Sequence, residues 1–135
     1  MARVAMAVLA IGCLTLLVIA SRLNASPNGH GTHMQMGLPA CGWVQAWGKP
    51  CMTCGMTTAF ANAANASPLA SIKAQPMGAV LALGAGVMVW LGAYSAATGS
   101  MIVPTLIRLG NWRLVWGLVA GLLLAWAYKW FTFAA

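Results

Sequence analysis

Residues 77–97 read MGAVLALGAGVMVWLGAYSAA, twenty-one positions without a single charged side chain. A bilayer's hydrocarbon core is about 30 Å thick and needs roughly 20 apolar helical residues to cross it. This stretch supplies them without a break. Two others share its character: Val4 to Ala20, between Arg3 and Arg22, and Leu114 to Tyr128, which runs into Lys129 and Trp130. Charged residues make up only 5% of the 135, against about a quarter in a soluble domain. A water-facing surface cannot be built from so few. The sequence therefore reads as an all-α integral membrane protein with three transmembrane helices and one or two short interfacial helices. Its organisation is 1–20 as the first span or a signal anchor, 21–76 as a Cys-containing loop with short amphipathic helices, 77–98 as the second span, 99–113 as a connecting loop, and 114–130 as the third span.

The chain contains no Asp and no Glu, and its formal charge of +7 comes from that absence. Paired-carboxylate hydrolysis, a Ser-His-Asp triad and a carboxylate Mg²⁺ or Ca²⁺ site are all excluded for this chain alone. No catalytic residue is assigned. The seven bases, Arg3, Arg22, Lys49, Lys73, Arg108, Arg113 and Lys129, stand singly, which gives no nucleic-acid footprint. They are expected to anchor helix ends at anionic headgroups. The implied partners are the lipid bilayer and a membrane protein or a second copy of the chain. With the N-terminus cytoplasmic, the short 98–113 connection with its two Arg lies inside, so the Cys loop falls on the non-cytoplasmic side.

Small residues recur every four positions in two spans: Gly78, Ala82 and Gly86 in the second, and Gly117, Gly121 and Ala125 in the third. Such stripes let helices approach closely, and they predict that these two spans pack together. Between the first two spans the composition shifts to Ser, Asn, Gly, His, Thr and Pro, and residues 21–54 read as loop. Met56, Ala59, Phe60 and Ala63 then fall at helical spacing, with Thr57, Thr58, Asn62 and Asn65 elsewhere. That pattern predicts an amphipathic helix at the interface or against the bundle. Ser67-Pro68 resembles an N-cap followed by Pro at the first helical position, with a second short helix to Gln75. Pro76 opens the second span in the same way. Met101 to Leu109 is apolar enough to lie in the interface. Val18-Ile19-Ala20 resembles a signal-peptide cleavage site, an alternative reading of the first span.

The chemistry-bearing residues cluster in the loop. Cys51 and Cys54 form a C-x-x-C where a helix is expected to begin, a position that favours a thiolate, and Cys41 lies ten residues earlier. Three readings stand. Cys41 pairs with Cys51 or Cys54 in a disulfide, given an oxidising compartment. Cys41, Cys51, Cys54 and His33 hold zinc as Cys₃His. Or the thiols are unpaired and serve packing. His30, His33, Met34 and Met36 form a second cluster of soft ligands suited to copper. Gly55 follows Cys54 where covalent haem attachment needs His. Cys13, inside the first span, reads as a small buried hydrophobe.

At these residues the chain resembles a family of bacterial membrane proteins, domain-of-unknown-function family 2752. The resemblance rests on Cys41, on Pro50-Cys51-Met52-Thr53-Cys54-Gly55-Met56-Thr57-Thr58-Ala59, and on Gln75-Pro76 before an apolar span. It covers roughly residues 41–98. Thr58 stands where the family has Arg, Gln75 where it has Asn, and Gly42 where Pro is common. The resemblance implies a small polytopic protein of the bacterial inner membrane and no established activity. Two functional classes follow. The first is a non-enzymatic structural or partner-binding membrane protein with a disulfide-braced loop and no cofactor. The second is a thiol-redox or metal-handling (zinc or copper) protein using the C-x-x-C.

Overall fold

The computed structural model describes residues 2–100, 105 and 112–132. Among them the chain forms helix α1 (Ala2–Ser21), a 3-10 turn (Thr32–Met36), α2 (Gly42–Trp47), α3 (Met56–Ala64), α4 (Pro68–Ala74), α5 (Pro76–Thr98) and α6 (Trp112–Thr132). No strand occurs among the described residues. The apolar reading of residues 101–109 lies outside them.

Three helices, α1, α5 and α6, are long and apolar enough to cross a membrane. At 1.5 Å per residue the 20, 23 and 21 residues of these helices span about 30 to 35 Å, the thickness of the hydrocarbon core. Their outward faces carry large apolar side chains that stand exposed among the described residues. Val4 is 68% exposed, Trp90 80% and Phe131 87%. In water this would be an apolar patch far beyond what a soluble monomer shows, whereas lipid tails cover it without cost. The fold is that of a multi-pass membrane protein.

The interior is built from small residues. Ala10, Ala59, Ala61, Ala79, Ala82 and Ala125 are buried, so helices meet backbone to backbone. The pairing differs from the one the glycine stripes predict: α5 lies along α1, not along α6. A Cβ at Gly92 would stand 3.1 Å from the Ala10 Cβ and 3.2 Å from the Met6 carbonyl oxygen, while one at Gly86 or Gly117 would meet nothing within 4 Å. α5 and α6 touch where the start of α5 meets the middle of α6, a Cβ at Gly121 standing 3.4 Å from the Met77 sulfur. A small-residue stripe permits a close approach but does not choose the partner: Gly78 receives α3, Gly92, outside the stripe, receives α1, and Gly86 meets nothing within 4 Å.

The two helices run antiparallel, because Arg3 at the start of α1 reaches the end of α5. Its Nε donates to the Ala96 carbonyl at 2.9 Å and its Nη2 donates to that of Ala97. Those carbonyls have no partner within the helix, and a cation there also meets the negative end of the helix dipole. At the opposite end of the bundle sit the whole 22–75 region and the C-terminal turns of α6.

α3 is wedged against α1, α4 and α5 rather than laid on the surface. Gly78 makes this possible: a Cβ there would stand 2.8 Å from the Ala59 Cβ and 3.1 Å from the Met56 sulfur. Thr58, placed on the polar face by periodicity, is 1% exposed. Its hydroxyl pairs with that of Thr32 at 2.8 Å, and Thr32 also accepts the Ser26 amide at 3.0 Å. The satisfied pair removes the penalty of burial and ties the 3-10 turn to α3. On the other flank the Ser71 hydroxyl donates to the Ala59 carbonyl at 2.7 Å, fixing α4 on α3. Ser67 and Gln75 bound α4, with Pro68 at its first position, and Pro76 opens α5.

Candidate functional site

The site is assembled by the chain's reversal between Cys41 and Gly55. Cys41 stands as N-cap of α2, and its carbonyl accepts the Gln45 amide at 3.1 Å. Seven residues later Gly48 ends the helix at φ 63°, in the left-handed region, its amide on the Val44 carbonyl. Lys49-Pro50 turns the chain back. Pro50 is buried, and its carbonyl accepts the Trp126 indole N–H of α6 at 3.1 Å. The reversal brings the Cys51 Sγ to 3.5 Å from that of Cys41. The Thr53 hydroxyl lies 3.5 Å from the Cys51 sulfur on its other side. A tight turn then joins the Cys54 amide to the Cys51 carbonyl at 3.1 Å.

Cys41, Cys51, Cys54 and His33 line one cavity of about 240 Å³ together with Thr53. The three cysteines are not equivalent. Partial burial works to raise the Cys41 thiol, but the Val44 amide at the start of α2, the Cys51 thiol and the Trp43 and Cys51 backbones together hold it below its ordinary value. Cys54 is buried, and desolvation pushes it up to about 11; the Cys51 and Cys41 thiols add to the rise, and the Lys129 ammonium offsets only part of it. For Cys54 this reverses the expectation that a helix start acidifies it. α3 begins at Met56 with Gly55 as its N-cap, so Cys54 lies outside the first turn and its burial decides. The acidified thiol is Cys41.

Gly55 lets a second part of the protein close over the thiols. It adopts φ 88°, and a Cβ there would stand 2.6 Å from the Gly29 carbonyl oxygen and 2.8 Å from that of Ala74. Both carbonyls accept hydrogen bonds from the Lys129 Nζ, at 3.1 and 3.0 Å. Lys129 is only 4% exposed. It is therefore not the outward-reaching anchor that its place at a helix end beside Trp126, Tyr128 and Trp130 predicts. It turns inward and joins α6 to the end of α4 and to the loop at Gly29, where the last carbonyls of a short helix favour a cation. Gln75, fully buried, adds a further tie: its Nε2 donates to the Met52 carbonyl at 3.1 Å, while its Oε1 has no protein partner.

The other residues singled out by sequence are dispersed. His33 faces the thiol cavity, but its Nε2 is bonded to the Pro39 carbonyl at 3.1 Å. The His30 Nδ1 is bonded to the Asn28 carbonyl at 2.9 Å. Met34 and Met36 sit in the 3-10 turn and are exposed. Among the described residues no three His or Cys side chains stand close enough together to hold a metal ion. α2, Trp126, Lys129 and the Thr32–Thr58 pair were not visible from composition or periodicity. A six-residue helix shows less than two turns of pattern, and the α6 contacts are made 76 and 100 residues along the chain.

Residues 39–89 match the model of a family described as Protein of unknown function (DUF2752). The match begins just before Cys41 and ends within α5, so it contains all three loop cysteines and helices α2 to α4. It makes the chain consistent with a DUF2752 family member. The 3-10 turn that supplies Thr32 and His33, and the α6 helix that supplies Trp126 and Lys129, lie outside the matched segment. No curated protein and no solved structure matches the chain.

Proposed function

We propose that the chain is a non-enzymatic membrane scaffold whose extramembrane loop is closed by a disulfide between Cys41 and Cys51. In this reading the helix between them, α2, is presented to a membrane-protein partner or a second copy. The observation that carries it is the 3.5 Å approach of the two sulfurs, which needs only a small closure to reach the roughly 2.05 Å of a disulfide. Oxidation forms the S–S bond and passes two electrons and two protons to a disulfide-bearing oxidant by thiol exchange, with Cys41, whose thiol is held below its ordinary value, attacking first. The bond would close an eleven-residue loop, and loop closure of that length stabilises by about 3 kcal/mol. A small extramembrane region with few large buried side chains gains most from such a brace. It would also fix the presentation of Trp43 and Trp47, which stack edge to face at 4.8 Å with both rings exposed. Aromatic pairs of this kind suit both the headgroup layer and a protein contact. A persistent disulfide calls for an oxidising compartment, so the loop is placed on the non-cytoplasmic side of a bacterial inner membrane.

A turnover role for the C-x-x-C fits less well. The sulfur that approaches Cys51 is that of Cys41, at 3.5 Å, so the pair that the geometry favours is not the pair within the motif. The test is to alkylate the purified protein before and after reduction and map the peptides. The expected result is one Cys41–Cys51 bridge that survives mild reductant, lost in Cys41→Ser and in Cys51→Ser and retained in Cys54→Ser. A Cys51–Cys54 bridge that exchanges readily with small thiols, or stoichiometric zinc or copper on reduced protein, overturns the reading.

A further inference from the structure

We propose that a second cavity, separate from the thiols, binds the phosphate group of an anionic phospholipid. It has a volume of about 500 Å³ and lies where the loop at Pro27–Gly29 and helices α3 and α4 meet the last turns of α6. Two lysines line it, Lys73 from α4 and Lys129 from α6, with Asn28 and Asn62 beside them. The chain has no Asp or Glu anywhere, so neither lysine has a carboxylate side chain to answer it. Lys129 is 4% exposed and is held by the carbonyls of Gly29 and Ala74, two residues that also form part of the wall. Carbonyl dipoles orient an ammonium without cancelling its charge, and a charge withdrawn from water is costly until an anion is paired with it. Lys73, in contrast, is exposed and stays free to close on a ligand from the solvent side.

The position names the anion. α6 is 21 residues long, about the thickness of the hydrocarbon core, so its final turn at Tyr128–Thr132 emerges at the headgroup layer. Tyr128 lines the cavity, and the neighbouring Trp126 and Trp130 rings, 5.6 Å apart, form the aromatic belt expected at that depth. A phosphodiester offers acceptors for two ammonium groups and two amides. In a bilayer it is already at the cavity mouth. Basic pockets beside spans are a recognised mode of headgroup binding.

Full-length protein is purified in a neutral detergent and titrated with phosphatidylglycerol and, separately, phosphatidylcholine. Bound lipid is counted by native mass spectrometry, and inorganic phosphate is added as competitor. Lys73→Gln is the main variant, because Lys73 is exposed; Arg22→Gln removes an equal charge outside the cavity. Lys129→Met is measured too, with helicity checked, since it also breaks the ties to Gly29 and Ala74. The expected result is preferential retention of phosphatidylglycerol, weakened about fivefold by Lys73→Gln, the effect of one lysine at an anionic surface, and unchanged by Arg22→Gln. Displacement by millimolar inorganic phosphate with no preference between the two lipids keeps the phosphate site and assigns it to free anion. Equal retention of both lipids without phosphate competition, or equal losses in Lys73→Gln and Arg22→Gln, overturns the site.

Discussion

Replacing Gly55 by Ala tests whether the covering of the thiol site depends on a missing side chain. Two costs combine. Gly55 holds φ 88°, where an L-residue loses about 1–2 kcal/mol against the ordinary helical region. The added methyl would also stand 2.6 Å from the Gly29 oxygen and 2.8 Å from the Ala74 oxygen. Neither atom is the end of a flexible side chain, and both are held by Lys129. Relieving the clash moves a backbone and stretches those bonds, and overpacking of this kind costs about 1–3 kcal/mol. The sum is about 2–5 kcal/mol. Gly37→Ala supplies the internal control: φ is 77° and a Cβ there meets nothing within 4 Å, so it carries only the conformational part, about 1–2 kcal/mol. The gain in unfolded-state rigidity is common to both and cancels in the comparison. Reversible unfolding in mixed detergent micelles, followed through the seven tryptophans, gives both values. Alkylation of Cys54, buried in the native protein, reports whether the cover has opened. Equal destabilisation by the two substitutions, within about 0.5 kcal/mol, with Cys54 still protected in both, would refute the close contact at Gly55.

Four further outcomes are expected. Trp126→Phe keeps the ring and removes the donor to the Pro50 carbonyl, so stability falls by about 1 kcal/mol and Cys51 is alkylated faster in reduced protein. On reduced protein, alkylation rate against pH separates the thiols: Cys41 reacts at lower pH than a free cysteine, and Cys54 only as pH approaches about 11. Because Cys54 holds its proton more tightly folded than unfolded, the folded state binds more protons above the ordinary thiol value, and stability falls as pH rises from there toward about 11. At the acid end the chain has no carboxylate side chain to protonate, so the unfolding midpoint in micelles stays nearly flat below the histidine range; a steep loss between pH 5 and 3 contradicts this.

The spans were legible because lipid imposes a demand that sequence cannot disguise: about 20 apolar residues each, bounded here by Arg3, Pro76 and Lys129. The helix starts at Pro68 and Pro76 were legible for a local reason, since proline at the first helical position sacrifices no hydrogen bond. The partners of the spans were not. The Gly78-Ala82-Gly86 stripe reads the same whichever helix answers it, and in the structure its members part company: Gly78 receives α3 and Gly86 faces open space. The thiol cluster was visible as composition, but the choice of Cys51 over Cys54 as the neighbour of Cys41 depends on where the Gly48–Pro50 reversal aims the chain. Thr58 was misplaced for a related reason: periodicity assigns a hydroxyl to the polar face, and only tertiary structure supplies the Thr32 that satisfies it indoors.

A protein without carboxylate side chains cannot join its parts by ion pairs, and this one uses its cations on other acceptors. Arg3 closes the end of α5 through the Ala96 and Ala97 carbonyls, Lys129 closes the end of α4 and the loop at Gly29, and the Lys49 ammonium rests 5.4 Å from the Trp130 ring centroid. Two of these three contacts fall on the last turns of α6, next to the Trp126 bond to Pro50. The loop that carries the cysteines is thus tied to one end of this span through dipoles and a ring face, beside the packing of α3 on α1, α4 and α5 and the bond from Gln75 to Met52. Contacts of that type gain strength where the dielectric is low, which is the environment at the edge of a bilayer. The same arrangement explains why the thiol site is not contained in the family segment 39–89 alone. That segment brings Cys41 to Cys51, but the residues that press it onto the membrane-spanning bundle come from Gly29 and from α6. Pro50, whose carbonyl takes the Trp126 indole N–H, immediately precedes Cys51, so α6 is joined to the thiol pair through a neighbouring residue of the chain.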